Sequence, residues 1–258
     1  MNITSYKLNK MTIDKNNQVR KNEANYIDPT CHKCSPSVPT SCLFGKTSKT
    51  LDNCPMIISP ETQKKAREIY DKDEFIKKST GVASTVEASG YIKWPRLKDT
   101  IEYAKAMGFK KIGLAFCVGL LEEACKVGEI LKKYRFKVVS VCCKTGGVKK
   151  KAVGVPEEFI GLSKTGYPIG YITCNPVAQA LILNKANTEL NLIIGLCVGH
   201  DVAFTKLSNA PVSTLIAKDR SMPHNPSGVL FTHYGRTFFQ KDLEETRKTR
   251  IKTPKKES

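Results

Sequence analysis

Two segments of this chain, 80 residues apart, carry the same pattern: an apolar run, then Cys-Val-Gly, then a lysine seven residues after the glycine. The first runs from Ile112 through Phe116 into Cys117, Val118 and Gly119 and on to Lys126. The second runs from Leu192 through Leu196 into Cys197, Val198 and Gly199 and on to Lys206. Each reads as a buried strand that ends in a cysteine and turns through glycine into a helix. Two such units place both thiols at the carboxyl-terminal edge of one sheet, where ligand sites of open α/β sheets are found.

The surrounding sequence extends the alternation. Helical spacing is expected at 60–70 and at 97–107, where Ile101, Ala104 and Met107 recur at intervals of three and four and Gly108 supplies a stop. Strand 111–117, helix 118–134, strand 136–142, a Gly/Lys loop at 145–154, helix 175–188, strand 191–197, a short helix at 200–208 and strand 212–217 follow. In helix 118–134 the residues Leu120, Leu121, Ala124, Val127, Gly128 and Leu131 make one stripe, with Glu122, Glu123, Lys126 and Glu129 facing away. This pattern predicts an α/β fold, a three-layer sandwich on a parallel, flavodoxin- or Rossmann-like sheet with strand order 2-1-3-4. The switch point then lies between the strands ending in Cys117 and Cys197.

A chain of 258 residues with 40% hydrophobic content can bury one full α/β core plus an appendage. The expected divisions are a polar tail at 1–30, a Cys-rich segment at 31–58, the α/β domain at 59–240 and a basic tail at 241–258. There is no apolar run of membrane-spanning length and the amino terminus lacks a signal-peptide core, so a soluble cytoplasmic protein is expected. In that compartment ten cysteines point to reduced thiols and metal rather than to disulfides. Of the net charge of +18, +11 falls in 91–240. Its lysines lie mostly on polar helix faces and at strand starts, without interleaved aromatics or a reader motif, which disfavours nucleic acid as a partner.

The chemistry resides in cysteine. Cys117, Cys142 or Cys143, Cys174 and Cys197 all fall at junctions on the sheet edge, and four converging thiolates suit zinc or an iron–sulfur cluster. Cys174 precedes Asn175-Pro176 at a helix start, where the helix field favours thiolate. A second array, Cys31-x2-Cys34-x7-Cys42-x11-Cys54, lies in a stretch too poor in large apolar residues to fold without help, and metal binding would order it. His32 is weighed as a loop residue beside it, and Cys125 as structural. His200-Asp201 and Asp219-Arg220 with His224 flank the edge as acid/base candidates, with plain capping as the alternative for Asp201. Gly146, Gly147 and Lys149 to Lys151 could bind an anion, although no Walker or dinucleotide motif is present.

These motifs carry a resemblance. Trp94-Pro-Arg-Leu, the run from Lys111 through Cys117-Val-Gly to Ala124, Val139-Ser-Val-Cys-Cys-Lys, Cys174-Asn-Pro, Gly195-Leu-Cys-Val-Gly-His-Asp, Lys218-Asp-Arg and His224-Asn-Pro resemble the uncharacterised metal-binding proteins grouped as domain of unknown function 1847. So does Asn53-Cys-Pro-Met at the end of the first array. The resemblance implies metal binding and no particular reaction. Ser221-Met-Pro before His224 departs from the family pattern. The expected function is thus a metal-binding protein, zinc or iron–sulfur. Cys117, Cys174, Cys197, His200 and Asp201 would form a redox or sulfur-transfer centre, served by a small-molecule or redox partner. The alternatives are a flavodoxin-like module holding a small anionic ligand and a zinc-finger nucleic-acid binder.

Overall fold

Proline sets where the first helices begin. Pro55 and Pro60 occupy first-turn positions, whose N–H would have no partner in any case, and open α1 (Pro55–Ile58) and α2 (Pro60–Lys72). The computed structural model describes residues 27–34, 42, 50–161 and 170–246, so most of the two expected tails lies outside it. The chain divides into two units, Met1–Lys77 and Lys78–Ser258, and the boundary expected at 58/59 lies inside the first.

A helix that the hydrophobic pattern did not mark, α3 (Glu74–Gly90), follows. It is rich in Ser and Thr, and Ser84, Thr85 and Ser89 return their hydroxyls to the carbonyls of Thr80, Gly81 and Thr85. Such back-bonding lets these residues sit inside a helix that lacks a clean apolar stripe. Next comes α4 (Arg96–Met107), which buries Ile101, Ala104 and Met107 and ends at Gly108 in the left-handed region.

The rest is the alternating core: β1 (Lys111–Phe116), a 3-10 turn at Val118–Leu120, α5 (Leu121–Lys133), β2 (Lys137–Cys142), a small antiparallel pair of β3 (Val148–Lys149) with β4 (Ile172–Thr173), α6 (Pro176–Lys185), β5 (Leu190–Ile194), α7 (His200–Leu207) and β6 (Val212–Ile216). The chain then continues into α8 (Gly228–Phe231) and α9 (His233–Thr246), the latter reaching six residues into the segment expected as a tail. The main sheet has the order β2-β1-β5-β6, and every pairing in it is parallel. α5 and α6 each pack on β1 and β2, and α6 also packs against α7.

β1 and β5 are central and buried on both faces, which is why they read as unbroken apolar runs. One polar residue interrupts them. Asn191 is fully buried in β5, where its Oδ1 accepts from Thr188 Oγ1 at 2.8 Å and its Nδ2 donates to Ser208 Oγ at 2.8 Å. Gly113 stands opposite in register, and a Cβ there would lie 2.0 Å from Asn191 Oδ1, so the glycine makes room for the amide.

Two local departures shape the edge. The expected stripe included Leu121, but the tighter 3-10 turn shifts the phase, so Leu120 is buried and Leu121 is 52% exposed. β5 stops at Ile194, short of the expected Cys197, because Gly195 takes φ +65 and breaks the strand. The same glycine lets the chain approach Leu120, whose Cδ2 would lie 2.5 Å from an added Cβ. Leu120, just after the first Cys-Val-Gly, therefore packs against Gly195, just before the second.

Candidate functional site

Backbone hydrogen bonds carry the cysteines to one place. Cys117 extends the ladder beyond β1, its N–H donating to Ile194 O at 3.0 Å, and Cys143 does the same beyond β2 with Phe116 O at 2.9 Å. Asn175 N–H then donates to Cys143 O at 2.7 Å, which brings the start of α6, and with it Cys174, alongside β2. Asn175 also caps α6, its Oδ1 accepting from Ala178 N–H at 3.0 Å. Cys197 arrives from the glycine break after β5.

The result is a row of sulfurs, in which Cys117 neighbours Cys143, Cys143 neighbours Cys174 and Cys174 neighbours Cys197. Acidity follows position in the row. Donation to Cys143, with burial added, pushes Cys117 up to about 12, although Lys218 Nζ stands 2.6 Å from its Sγ. Cys143 gains from accepting the Cys117 proton and from Val118 N–H at 3.3 Å, but its own donation to Cys174 and its burial leave it at about 11. Cys197 terminates the row. Its neighbour Cys174 lowers it most; burial opposes, and Lys218 and Arg220 assist, which holds it at about 5. Arg220 donates directly to Cys197 Sγ at 3.1 Å. At neutral pH Cys197 is a thiolate and Cys143 and Cys117 are protonated, with a cation at each end of the row.

Both cations come from the segment just after β6, and the sequence pattern gives neither of them a thiol-facing role. Their signal was available: Lys218-Asp219-Arg220 follows the last strand at the same sheet edge as the cysteines. Asp219 turns the chain there, its Oδ1 accepting from the N–H groups of Ser221 and Met222. His224, at φ +61, accepts the Asp219 N–H on Nδ1 at 3.2 Å, so it braces the loop that carries the cations.

The other expected residues divide. Of the Cys142/Cys143 pair, Cys143 joins the row, while Cys142, one residue earlier on the opposite strand face, packs half-buried against the core. Asp201 caps its own helix, its Oδ1 accepting from Gly199 and Val202 N–H. His200 begins α7 with a buried Nδ1 that has no partner among the described residues. Cys125 is exposed on α5. A buried amide that sequence reasoning missed also serves the edge: Gln179 Nε2 donates to Phe116 O at 3.2 Å and Val141 O at 2.7 Å, clamping the ends of β1 and β2.

In the first unit, Cys31 and Cys34 share one 3-10 turn, closed by Cys34 N–H to Cys31 O at 3.0 Å. Asn53 donates to Asp28 O and Thr30 Oγ1 at 2.8 and 2.9 Å, so the two ends of that array, beside Cys31 and Cys54, are tied together. Cys54 is buried and Cys42 exposed; most of the intervening chain lies outside the described residues. Among the described residues, no three Cys, His, Asp or Glu side chains stand where they could hold one metal ion. No described helix is long and apolar enough to cross a membrane.

Residues 54–215 match the family described as Protein of unknown function (DUF1847). Uncharacterized protein MJ0455 of Methanocaldococcus jannaschii is 40% identical over 202 residues, covering 78% of this chain and 95% of that protein. No solved structure matches. The matched span includes the strands and cysteines of the thiol row, and the chain belongs to the DUF1847 family.

Proposed function

We propose that the sheet edge is a reactive-thiol centre for redox or sulfur-transfer chemistry, with Cys197 as the nucleophile and Cys174 as its resolving partner. The observation that carries this reading is the position of Cys197 Sγ, which accepts the Arg220 N–H at 3.1 Å beside Cys174. A sulfur so placed is a stabilised thiolate that remains partly open to solvent. In a redox turnover, Cys197–S⁻ attacks a disulfide R–S–S–R′, forming the mixed disulfide and releasing R′–S⁻. Cys174 then attacks the Cys197 sulfur, its proton leaves with R–S⁻ as R–SH, and a Cys174–Cys197 disulfide remains. Lys218 and Arg220 offset negative charge as the thiolate forms.

A second reading places zinc or an iron–sulfur cluster on Cys117, Cys143, Cys174 and Cys197, with a structural metal on Cys31, Cys34, Cys42 and Cys54. Donor chemistry favours it, since thiolates delivered by four separate junctions are the ligands such metals take. Among the described residues, however, no three Cys, His, Asp or Glu side chains stand where they could hold one ion.

One preparation tests both. The protein is purified without oxygen, analysed for zinc, iron and sulfide, and labelled briefly with iodoacetamide at pH 5.5, with peptide mapping. Cys197 labelled ahead of the exposed Cys125 in metal-free protein is the expected result. Stoichiometric metal that protects the row replaces the first reading by the second.

A further inference from the structure

Two cations from one short loop face the sulfurs of this edge. Lys218 Nζ donates to Cys117 Sγ at 2.6 Å and Arg220 Nη2 donates to Cys197 Sγ at 3.1 Å. The nearby carboxylates of Asp201 and Asp219 accept from backbone N–H groups of their own turns, and neither forms an ion pair with Lys218 or Arg220 among the described residues. Arg220 is exposed, and a guanidinium has five N–H donors in a fork suited to oxyanions. Among the described residues it takes no acceptor besides Cys197 Sγ. The backbone that bears both cations is fixed by the Asp219 turn and by His224, which keeps both side chains rooted beside the sulfurs.

We infer that the centre takes an anionic sulfane-sulfur donor, one in which an oxyanion is bonded to the sulfur to be transferred, and that Arg220 and Lys218 bind that oxyanion beside Cys197. This rests on the reactive-thiol reading and supplies its substrate class. With thiosulfate as the simplest member, Cys197–S⁻ attacks the outer sulfur. The S–S bond of thiosulfate breaks, a new S–S bond forms at Cys197, and sulfite leaves with the bonding electron pair. Atoms and charge balance, and no outside oxidant or reductant is required. Arg220 stabilises the departing sulfite as negative charge gathers on its oxygens. Cys174 then attacks the inner sulfur of the Cys197 persulfide, releasing HS⁻ and leaving the Cys174–Cys197 disulfide, unless an acceptor thiol takes the outer sulfur first.

Two measurements on the full chain test this. In the first, reduced protein is mixed with thiosulfate, released sulfite is titrated, and the Cys197 peptide is weighed under non-reducing conditions. One sulfite per chain and a gain of about 32 Da, one sulfur, on Cys197 of a Cys174→Ser variant are expected. The second compares iodoacetate with iodoacetamide at Cys197. Both need the same thiolate, so their rate ratio reports the surrounding charge alone. The ratio should exceed that of free cysteine about tenfold at low salt and fall with ionic strength. It should also fall in Arg220→Gln, an exposed position whose replacement spares the fold, and in Lys218→Gln.

Absence of sulfite, together with a ratio equal to that of free cysteine while iodoacetamide still modifies Cys197 rapidly, overturns the substrate class and leaves the reactive thiol standing. If Cys197 resists iodoacetamide as well, the underlying reading falls and takes this inference with it.

Discussion

The reactivity of Cys197 should be nearly independent of pH where that of an ordinary cysteine is steep. An ordinary thiol titrating near 8.5 is only about 0.1% ionised at pH 5.5. With a value of about 5, Cys197 is mostly ionised there, a roughly 760-fold advantage in thiolate. A less basic thiolate is also a weaker nucleophile. With a Brønsted slope of about 0.45 over about 3.5 units, each Cys197 thiolate reacts roughly 40-fold more slowly. The two effects leave Cys197 about twentyfold faster than free cysteine at pH 5.5 but about thirtyfold slower at pH 9. Crossing curves, rather than a high rate at any one pH, are the signature. Iodoacetamide rates from pH 4.5 to 9.5, read from the Cys197 peptide, give the curve directly. Replacing Cys174 by Ala removes the largest contribution to the lowered value and should move the midpoint upward. A wild-type rate that climbs tenfold per pH unit between 6 and 8 would refute the thiolate assignment.

Stability should follow the same groups. Cys197, lowered in the folded chain, contributes stability that is fully present above the ordinary thiol value of about 8.5 and is lost as pH falls through about 5. Cys143 and Cys117, raised to about 11 and about 12, contribute stability that is present below that ordinary value and lost as pH rises through their own. Urea midpoints should therefore rise from pH 5 toward 9 and fall beyond it, and Cys197→Ala should flatten the acid side; a slope unchanged by that substitution contradicts the assignment. Gly113→Ala forces its Cβ onto Asn191 Oδ1 and should cost about 2–4 kcal/mol in urea unfolding, through overpacking and loss of the Asn191 bonds. A loss below about 0.5 kcal/mol, the ordinary scatter of surface changes, would mean that the strand pair relaxes freely. Gln179→Leu removes the clamp on Val141 O and should cost about 1–2 kcal/mol while raising the pH 5.5 labelling of Cys143; unchanged labelling would confine Gln179 to stability.

Much of the sheet was legible because β1 and β5 are buried on both faces, and a short apolar run bounded by turn residues is what such a strand requires. The helices that were missed failed for physical reasons. α3 is rich in Ser and Thr, whose hydroxyls bond back to carbonyls one turn earlier, and so shows no clean hydrophobic period, while α9 lies in a stretch whose charges resemble those of a tail. At the site, the edge cysteines were visible from the strand-to-helix junctions, but the choice of Cys143 over Cys142 was not. It depends on strand phase at the last residue of β2, where a one-residue shift exchanges the two faces. Asp201 and His224 also bond locally: Asp201 accepts from Gly199 N–H and His224 from Asp219 N–H, contacts that spacing alone does not reveal.

The gradient of acidity along the row follows from the architecture and needs no unusual residue. Cys117 and Cys143 sit at the ends of adjacent strands, in the interior of the edge, where both are buried and each donates its proton outward. Cys197 lies beyond a strand already broken by Gly195, half-exposed and within reach of Arg220. Any row of hydrogen-bonded thiols must end in an acceptor, and charge settles at the end where cations and water stabilise it best. Moving the cation should therefore move the thiolate. In Arg220→Gln the Cys197 midpoint should rise, and in a Lys218→Gln, Arg220→Gln double variant it should rise further, because both charges contribute to its present value. Midpoints that stay at the wild-type position in the double variant would mean that the Cys174 hydrogen bond alone sets the acidity, and the cations would then be left to substrate binding.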